Sequence, residues 1–386
     1  MSRQSLPRWR VGLSDVKSVL VVGGGIAGMC AAIELRKRAL AVDLVEADPQ
    51  WSVYGAGITI NGPSLRALDA IGVLPAILEQ GAASDGLDLF LANGTPIGSI
   101  PAAGPPGSPI RGTAGIVRPA LARILSTATA AAGAHVRLGT TFSAMSNDER
   151  GVDVSLSDGT ASRYDLVIAA DGINSKVRAT VFPDAPKPRF TGQGCWRAIV
   201  PRPETIRRAA MFIGKQIKAG IVPVSRDEMY MFFLETRATP DHVEPGQWPV
   251  VLRQALAEFG GPIADIRDSI TAESRILYRP LFAVMVPKPW HKGRAVLIGD
   301  AAHATTPHLA SGAGLAVEDA LVLAEELGKR QTCEQALTRF TERRYERCRI
   351  VVENSLRLGD IERTGGSQEE HQQLMRDSTM TLAAEI

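Results

Sequence analysis

Gly23-Gly-Gly25-Ile-Ala-Gly28 stands directly after the apolar run Ser18-Val-Leu-Val-Val22 and opens a stretch with helical spacing of apolar residues that begins at Ile26. That arrangement suits a bound pyrophosphate. Gly23 permits a tight turn, Gly25 lets the backbone approach the phosphates, and Gly28 lets the helix pack closely on the strand. The helix N-terminus then offers free N–H donors and the positive end of its dipole. Glu46 closes the next strand, Val42-Asp-Leu-Val45, where a carboxylate can accept hydrogen bonds from a ribose diol. Strand, glycine turn, helix and acid together form a dinucleotide fingerprint, which does not by itself separate NAD from FAD.

Two further constellations follow. Asp171-Gly-Ile-Asn-Ser-Lys-Val-Arg178 comes after the apolar run Tyr164-Asp-Leu-Val-Ile-Ala-Ala170, and Gly299-Asp300-Ala-Ala-His303, with Pro307 beyond it, comes after the buried-strand pattern Arg294 to Ile298. Asp300 thereby stands at the carboxyl end of a strand, where open α/β sheets bind ligands, although an aspartate there also suits a helix cap. In this order the motifs resemble the single-component (group A) FAD-dependent aromatic hydroxylases, the para-hydroxybenzoate and salicylate hydroxylase family. Gly55-Ala-Gly57-Ile58, Gly115-Ile-Val-Arg118 with Leu121, and Ala336-Leu337 through Arg344 and Arg347 also fit its pattern. The resemblance runs from Ser18 to about Arg357.

It implies an enzyme that binds FAD, takes reducing equivalents from NADH or NADPH, and hydroxylates an electron-rich aromatic or N-heteroaromatic small molecule with dioxygen through a flavin C4a-hydroperoxide. The cofactor would carry the oxidation, so no Ser/His/Asp triad or metal cluster is needed, and none emerges from the sequence. The resemblance implies FAD contacts at Gly23, Gly25, Gly28, Glu46, Gly57, Arg118, Asp171, Asp300, Gly312 and Gly314. Asp300 would hold the ribityl chain, with Arg118 against ribityl and phosphate oxygens, and Gly312 and Gly314 at the flavin pyrimidine. Asp171 would lie where FAD and the nicotinamide nucleotide both pass, and it reads equally well as a turn aspartate binding nearby amides. Many relatives carry glycine where this chain has Ala310.

For the substrate, His308 is expected in the pocket, where an imidazole favours a phenolate. Arg197 would bind a carboxylate or phenolate, or else form a surface salt bridge. Trp196, Phe212, Tyr230 and Phe232 are further pocket candidates on a presumed sheet above the flavin, or else core residues of that sheet, and Tyr230 is with His308 and Arg197 a candidate catalytic residue. Strand alternation puts Tyr230 and Phe232 on one face, Met231 and Phe233 on the other. Two alternatives stay open: a flavin-dependent epoxidase or tailoring oxygenase of a larger natural product, and a non-catalytic binding protein on the same fold. Loss of Gly28, Arg118 or Asp300 would favour the second, and all three are present.

The elements that must position these residues alternate in type along the chain. The expected fold is α/β: a discontinuous Rossmann-like FAD-binding domain (17–75, 104–182 and 281–330), an inserted, mainly antiparallel β-sheet substrate domain (76–103 and 183–280), and C-terminal helices (331–386). Residues 1–16 carry Arg3, Arg8, Arg10 and Asp15 with only short apolar stretches and read as a disordered leader, not a secretory signal. The 386 residues allow two or three domains, and 45% apolar content suffices for a filled core. With 43 Lys and Arg against 41 Asp and Glu, the net charge of +2 gives no basic excess for nucleic acid. The most apolar region, Ser18 to Leu35, is broken by glycines and Glu34, so no membrane insertion is expected. Cys30, Cys195, Cys333 and Cys348 are scattered like reduced intracellular thiols. A cytoplasmic monomer or homodimer is expected, with one GxGxxG and hence no separate nicotinamide domain.

Overall fold

The computed structural model describes residues 15–52, 55–102 and 112–386. All but the last two residues of the expected leader lie outside them. Asp15 is anchored where its Oδ1 accepts from the Cys333 amide at 2.8 Å, and Val16 is fully buried.

Ser18–Val22 forms the centre of a six-stranded sheet ordered His291–Lys292, Ala295–Leu297, Leu166–Ala169, Ser18–Val22, Ala41–Glu46, His135–Leu138. The last five run parallel, and His291–Lys292 is antiparallel. Strands buried on both faces need apolar residues at every position, which is why Val19 to Val22 and Leu166 to Ala169 read as unbroken runs. Helices Ile26–Lys37 and Gly312–Leu327 pack on one another beside this sheet. The sequence pattern suggests only a connection before the helix near Thr59. The chain instead forms a strand, Gly57–Asn61, paired antiparallel with Thr113–Val117, and then helix Gly62–Ile71, capped by Asn61 accepting from the Ser64 amide.

The second lobe is a seven-stranded sheet ordered Arg275–Ala283, Arg189–Pro201, Glu228–Thr236, Lys218–Pro223, Ala209–Ile213, Gly86–Leu91, Pro96–Pro101. Every pairing is antiparallel except Ala209–Ile213 with Gly86–Leu91. The first insert joins this sheet only from Gly86. Leu74 and Ile77 of the preceding helix belong to the large core of the first lobe. Helices Trp248–Ala255 and Pro262–Ser269 cover one face of the sheet, burying Leu252, Ile263 and Ile266 against Trp196, Phe212 and Phe233. The other face is turned to the first lobe. A 32-residue helix, Cys333–Thr364, starts from a capping box made by Thr332 and Gln335 and is joined by Gln368–Ala383. Among the described residues, no helix is long and apolar enough to cross a membrane.

Candidate active site

The glycine turn has the shape its spacing predicts. Gly23 has φ of 106°, a left-handed value that side chains avoid, and a Cβ on Gly28 would lie 1.9 Å from the Gly23 carbonyl oxygen. Gly25 is the exposed N-cap of helix Ile26–Lys37, with no side chain capping that end and nothing within 4 Å of where a Cβ would stand. Uncapped N–H groups facing open space form an anion site. Glu46 stands beside it. Its Oε2 accepts from the Gly24 amide at 2.7 Å and its Oε1 from Asp48 at 2.9 Å, while Trp51 donates to the Gly24 carbonyl. Each carboxylate oxygen keeps lone pairs for a ligand hydroxyl.

Asp300 lies at the second end of the cradle. Gly299, at φ 58°, turns the chain so that its α-carbon packs on Ala27 and Ala316; a Cβ there would meet theirs at 2.9 and 3.3 Å. The motif near the strand end is thus pressed against the fingerprint helix. The Asp300 carboxylate is open to solvent, yet the protein enclosing it still raises its pKa, partly offset by His303 and Arg118. Solvent access together with enclosure describes the floor of an open cleft. Its side chain has no hydrogen-bond partner among the described residues.

Arg118 is half-buried, close to Asp300, Arg197, Tyr230 and Cys195, and its guanidinium likewise has no hydrogen-bond or ion-pair partner among the described residues. Burial and then the neighbouring Arg197 charge lower its pKa. An enclosed guanidinium with five unused donors, beside a carboxylate with unused acceptors, calls for a ligand rich in both hydroxyls and anionic oxygen. With the open helix end at Gly25 and the acid at Glu46, these residues fit FAD.

Several expected residues make contacts within the protein. Asp171 turns to its own helix: Oδ1 accepts from Ser175, and Oδ2 from the amides of Lys176 and Val177. Its motif reaches the cleft through Arg178, which is 5% exposed and donates to the carbonyls of Ala301 (2.8 Å) and Ile173 (2.6 Å), bracing the turn that holds Asp300. Gly57 leaves room for Tyr230, whose ring lies 2.1 Å from where a Cβ would be. Gly314 lets its helix sit on Ser64, and Gly312 lies against Thr305.

His308 is the main correction. Its ring is 1% exposed and turned toward the long C-terminal helix, with Nδ1 2.8 Å from Thr306 Oγ1 and Nε2 3.4 Å from Glu362 Oε2. Both ring nitrogens are directed at protein groups, so His308 does not present a base to a substrate. Ala310, in contrast, holds a left-handed turn of the kind that favours glycine, at φ 48° and ψ 33°.

Sheet register decides the aromatic candidates. Trp196 and Phe212 are fully buried on the face under the two helices, away from the cleft. Tyr230, Phe232, Cys195, Arg197 and Ile199 share the other face, with Arg197 opposite Phe232 and Ile199 opposite Tyr230. The Tyr230 hydroxyl shares a 2.7 Å hydrogen bond with Thr59, and burial raises its pKa. Arg197 is half-buried and, like Arg118, unpaired among the described residues.

A buried ionic network that joins the motif residues His303, Arg344 and Arg347 to Glu318 and Asp319 supports Asp300 from behind. Asp319 Oδ2 accepts from the Gly299 amide at 2.8 Å and lies 2.6 Å from His303 Nε2, while Oδ1 accepts from Arg344 at 2.8 Å. Arg344 also meets Glu318 at 2.7 Å, and Glu318 is held by Arg347. Burial alone would lower the His303 pKa, but Cys348 and Asp319 beside it hold it well above the ordinary value. His303, Asp319 and Cys348 lie close enough to resemble a metal cluster. The Arg344 guanidinium already occupies that space as the counter-charge. Sequence reasoning singles out His303, Arg344 and Arg347 by motif but not their acidic partners Glu318 and Asp319, which lie in helix Gly312–Leu327.

A family model described as FAD binding domain matches residues 17–355. The chain is 33% identical over 310 residues to 2-heptyl-3-hydroxy-4(1H)-quinolone synthase of Pseudomonas aeruginosa, covering 80% of each chain. It is 31% identical over 350 residues to aurachin C monooxygenase/isomerase of Stigmatella aurantiaca, covering 89% of each. In fold it is similar to Klebsiella pneumoniae HpxO, solved with FAD and uric acid, at a TM-score of 0.81 and 22% identity over 94% of this chain and 97% of that one.

Proposed function

Because the chain belongs to the FAD binding domain family and is an FAD-dependent monooxygenase of the aromatic hydroxylase type, we propose that its substrate is a small electron-rich aromatic or N-heteroaromatic compound bound as an anion at Arg197. One observation carries this reading: Arg118 lies close to both Arg197 and Asp300, and neither guanidinium has a hydrogen-bond or ion-pair partner among the described residues. With Arg118 and Asp300 assigned to the cofactor, Arg197 remains free for the acceptor. The quinolone synthase relative, whose name describes a hydroxylated N-heteroaromatic product, supports the same class.

When bound, FAD supplies the redox chemistry, accepting a hydride from NADH or NADPH and activating dioxygen. The protein's part is positioning and charge. The N–H groups at Gly25 and the start of helix Ile26–Lys37 would hold the pyrophosphate, Glu46 the ribose, and Asp300 and Arg118 the ribityl chain. Arg197 favours the ionised phenol or enol, because a guanidinium beside the oxygen stabilises the charged form and lowers the pKa of the group. An ionised ring oxygen makes the ring more electron-rich and so more readily hydroxylated. Tyr230 and Phe232 wall the site and exclude water, while the Tyr230 hydroxyl stays engaged with Thr59. NAD(P)H binds transiently at the surface. The enzyme works in the cytoplasm, a reading supported by four free, buried cysteines; it is a monomer or homodimer.

The test is a panel of phenols, hydroxybenzoates, hydroxypyridines and hydroxyquinolines, each paired with its O-methyl ether, scored for stimulated NAD(P)H oxidation and hydroxylated product. Ionisable members should work and their ethers should not. Equal activity with the ethers would remove the anion from the account.

A further inference from the structure

Glu362, near the end of helix Cys333–Thr364, gathers groups from three other parts of the molecule. Lys218 on strand Lys218–Pro223 pairs with Oε1. His371 on helix Gln368–Ala383 brings Nε2 to 3.3 Å from the same oxygen. His308, on the loop leading into helix Gly312–Leu327, brings Nε2 to 3.4 Å from Oε2, and neither of those two atoms has a hydrogen-bond partner among the described residues. Gly359, one turn earlier, makes this approach possible: a Cβ there would stand 3.0 Å from His308 Cε1 and 2.7 Å from Gln193 Oε1. Register places Lys218 opposite Leu234, which lies opposite Cys195, so Lys218 projects from the Arg197 face one rung further along.

We propose that Glu362 is a positioning residue of the reaction: it fixes His308 as the Nε2–H tautomer, whose Nδ1 then accepts the Thr306 hydroxyl and sets the loop that opens helix Gly312–Leu327. The inference rests on the reading above only in taking that loop to border the flavin. A carboxylate can only accept, so the His308 nitrogen facing it must carry the proton. The other nitrogen is then an acceptor, and Thr306, 2.8 Å away, must donate to it. Through Lys218 the same carboxylate ties the loop to the substrate sheet, so the flavin side and the acceptor side of the cleft share one anchor.

The charged and titratable groups facing this centre are Lys218 from the sheet, His371 from the last helix, and His308 and Glu362 themselves, with Arg363 alongside turned to Gly192 and Asp360. Burial lowers the His308 pKa, and Glu362 partly offsets that. Protonating His308 turns Nδ1 into a donor and reverses the bond to Thr306. Removing the Glu362 charge removes a stabiliser of the imidazolium, so the pH at which this reversal occurs must fall.

Glu362→Gln tests the proposal, because an amide can face Nε2 with either its oxygen or its nitrogen and no longer dictates the tautomer. Nitrogen-15 spectra of the imidazoles should show His308 as a single Nε2–H form in the wild-type apoprotein and a mixture in E362Q. The reconstituted variant should still bind FAD, while product formed per NAD(P)H oxidised falls by about tenfold, as a displaced catalytic element gives. The acid limb of that yield should move to lower pH. Glu362→Asp, which keeps the charge, should restore a single tautomer and most of the yield, and it also serves if E362Q folds poorly. An Nδ1–H form in the wild type, or a variant with unchanged tautomer, yield and acid limb, would overturn the assignment. Failure of the wild type to bind FAD, with His308 in the stated tautomer, would instead count against the loop's place beside the flavin.

Discussion

Arg118 and Arg197 face the same cleft from opposite lobes, one at the start of helix Arg118–Ala131 and the other on strand Arg189–Pro201, and neither has a protein partner among the described residues. Like charges held together in an enclosed space are unfavourable unless something anionic completes them. Asp300 answers part of the charge at Arg118, and Arg197 is the guanidinium proposed above to take the acceptor.

Replacing Arg197 by Gln should leave FAD affinity unchanged and raise KM for ionisable acceptors about 10- to 100-fold, the usual loss for a charge-assisted hydrogen bond. Steady-state kinetics beside a flavin titration separates the two effects. An equal loss of FAD would place Arg197 on the cofactor.

Gly25 permits a cleaner separation of fold from ligand. Its φ of −76° suits any residue, and a Cβ would meet nothing, so Gly25→Ala should change apoprotein stability by no more than about 1 kcal/mol. The new methyl group would nevertheless stand where the pyrophosphate must approach, and FAD affinity should fall at least about tenfold, or about 1.4 kcal/mol. Calorimetry on the apoprotein and fluorescence titration with FAD check both halves. Unchanged affinity would move the pyrophosphate elsewhere.

The pair His303–Asp319 gives stability a pH dependence of known sign. The folded His303 pKa is raised, so its contribution is complete below the unfolded value of 6.5 and is lost as pH rises from there through the folded value. Asp319 is lowered despite its burial, chiefly by His303 and Arg344, so its share is lost only in acid. The difference in melting temperature between wild type and His303→Asn should be widest near pH 6.5 and shrink as pH rises. A gap that does not vary with pH would mean that His303 is neutral. Arg344→Met, which leaves Asp319 short of a partner, should cost about 3–5 kcal/mol in chemical denaturation and weaken FAD binding through the Gly299 turn.

Much of this site is legible in the sequence because it depends on local geometry. The glycine turn, the acid ending the second strand and the aspartate after the Ala295–Leu297 strand all depend on neighbours a few residues away, and strand alternation correctly separates Tyr230 and Phe232 from Met231 and Phe233. What the sequence leaves open is set by contacts between distant segments. Trp196 and Phe212 face away because helices Trp248–Ala255 and Pro262–Ser269 bury that side of the sheet. His308 turns from the cleft because Glu362, on a helix much later in the chain, lies next to its Nε2.

Ala310 shows a local rule being broken. A left-handed alanine costs about 1–2 kcal/mol, and glycine returns about half of that gain through its greater unfolded-state entropy. Ala310→Gly should therefore leave stability equal or up to about 1 kcal/mol higher, whereas Ala310→Val, β-branched at positive φ, should lower it. Thermal melts of the three apoproteins decide. A clear loss in the glycine variant would contradict this backbone path.

The central claim is that an FAD-dependent monooxygenase hydroxylates an ionised aromatic acceptor held at Arg197. The most direct measurement is oxygen tracing: the reconstituted enzyme is supplied with NAD(P)H, oxygen-18 gas and the best acceptor from the phenol and hydroxyquinoline panel, and the product is read by mass spectrometry. The account predicts one labelled oxygen atom per product molecule from the wild type and a large loss of labelled product from Arg197→Gln at the same subsaturating acceptor concentration. Reduced pyridine nucleotide consumed with only hydrogen peroxide formed across the panel, or labelled product formed equally well without Arg197, would contradict it.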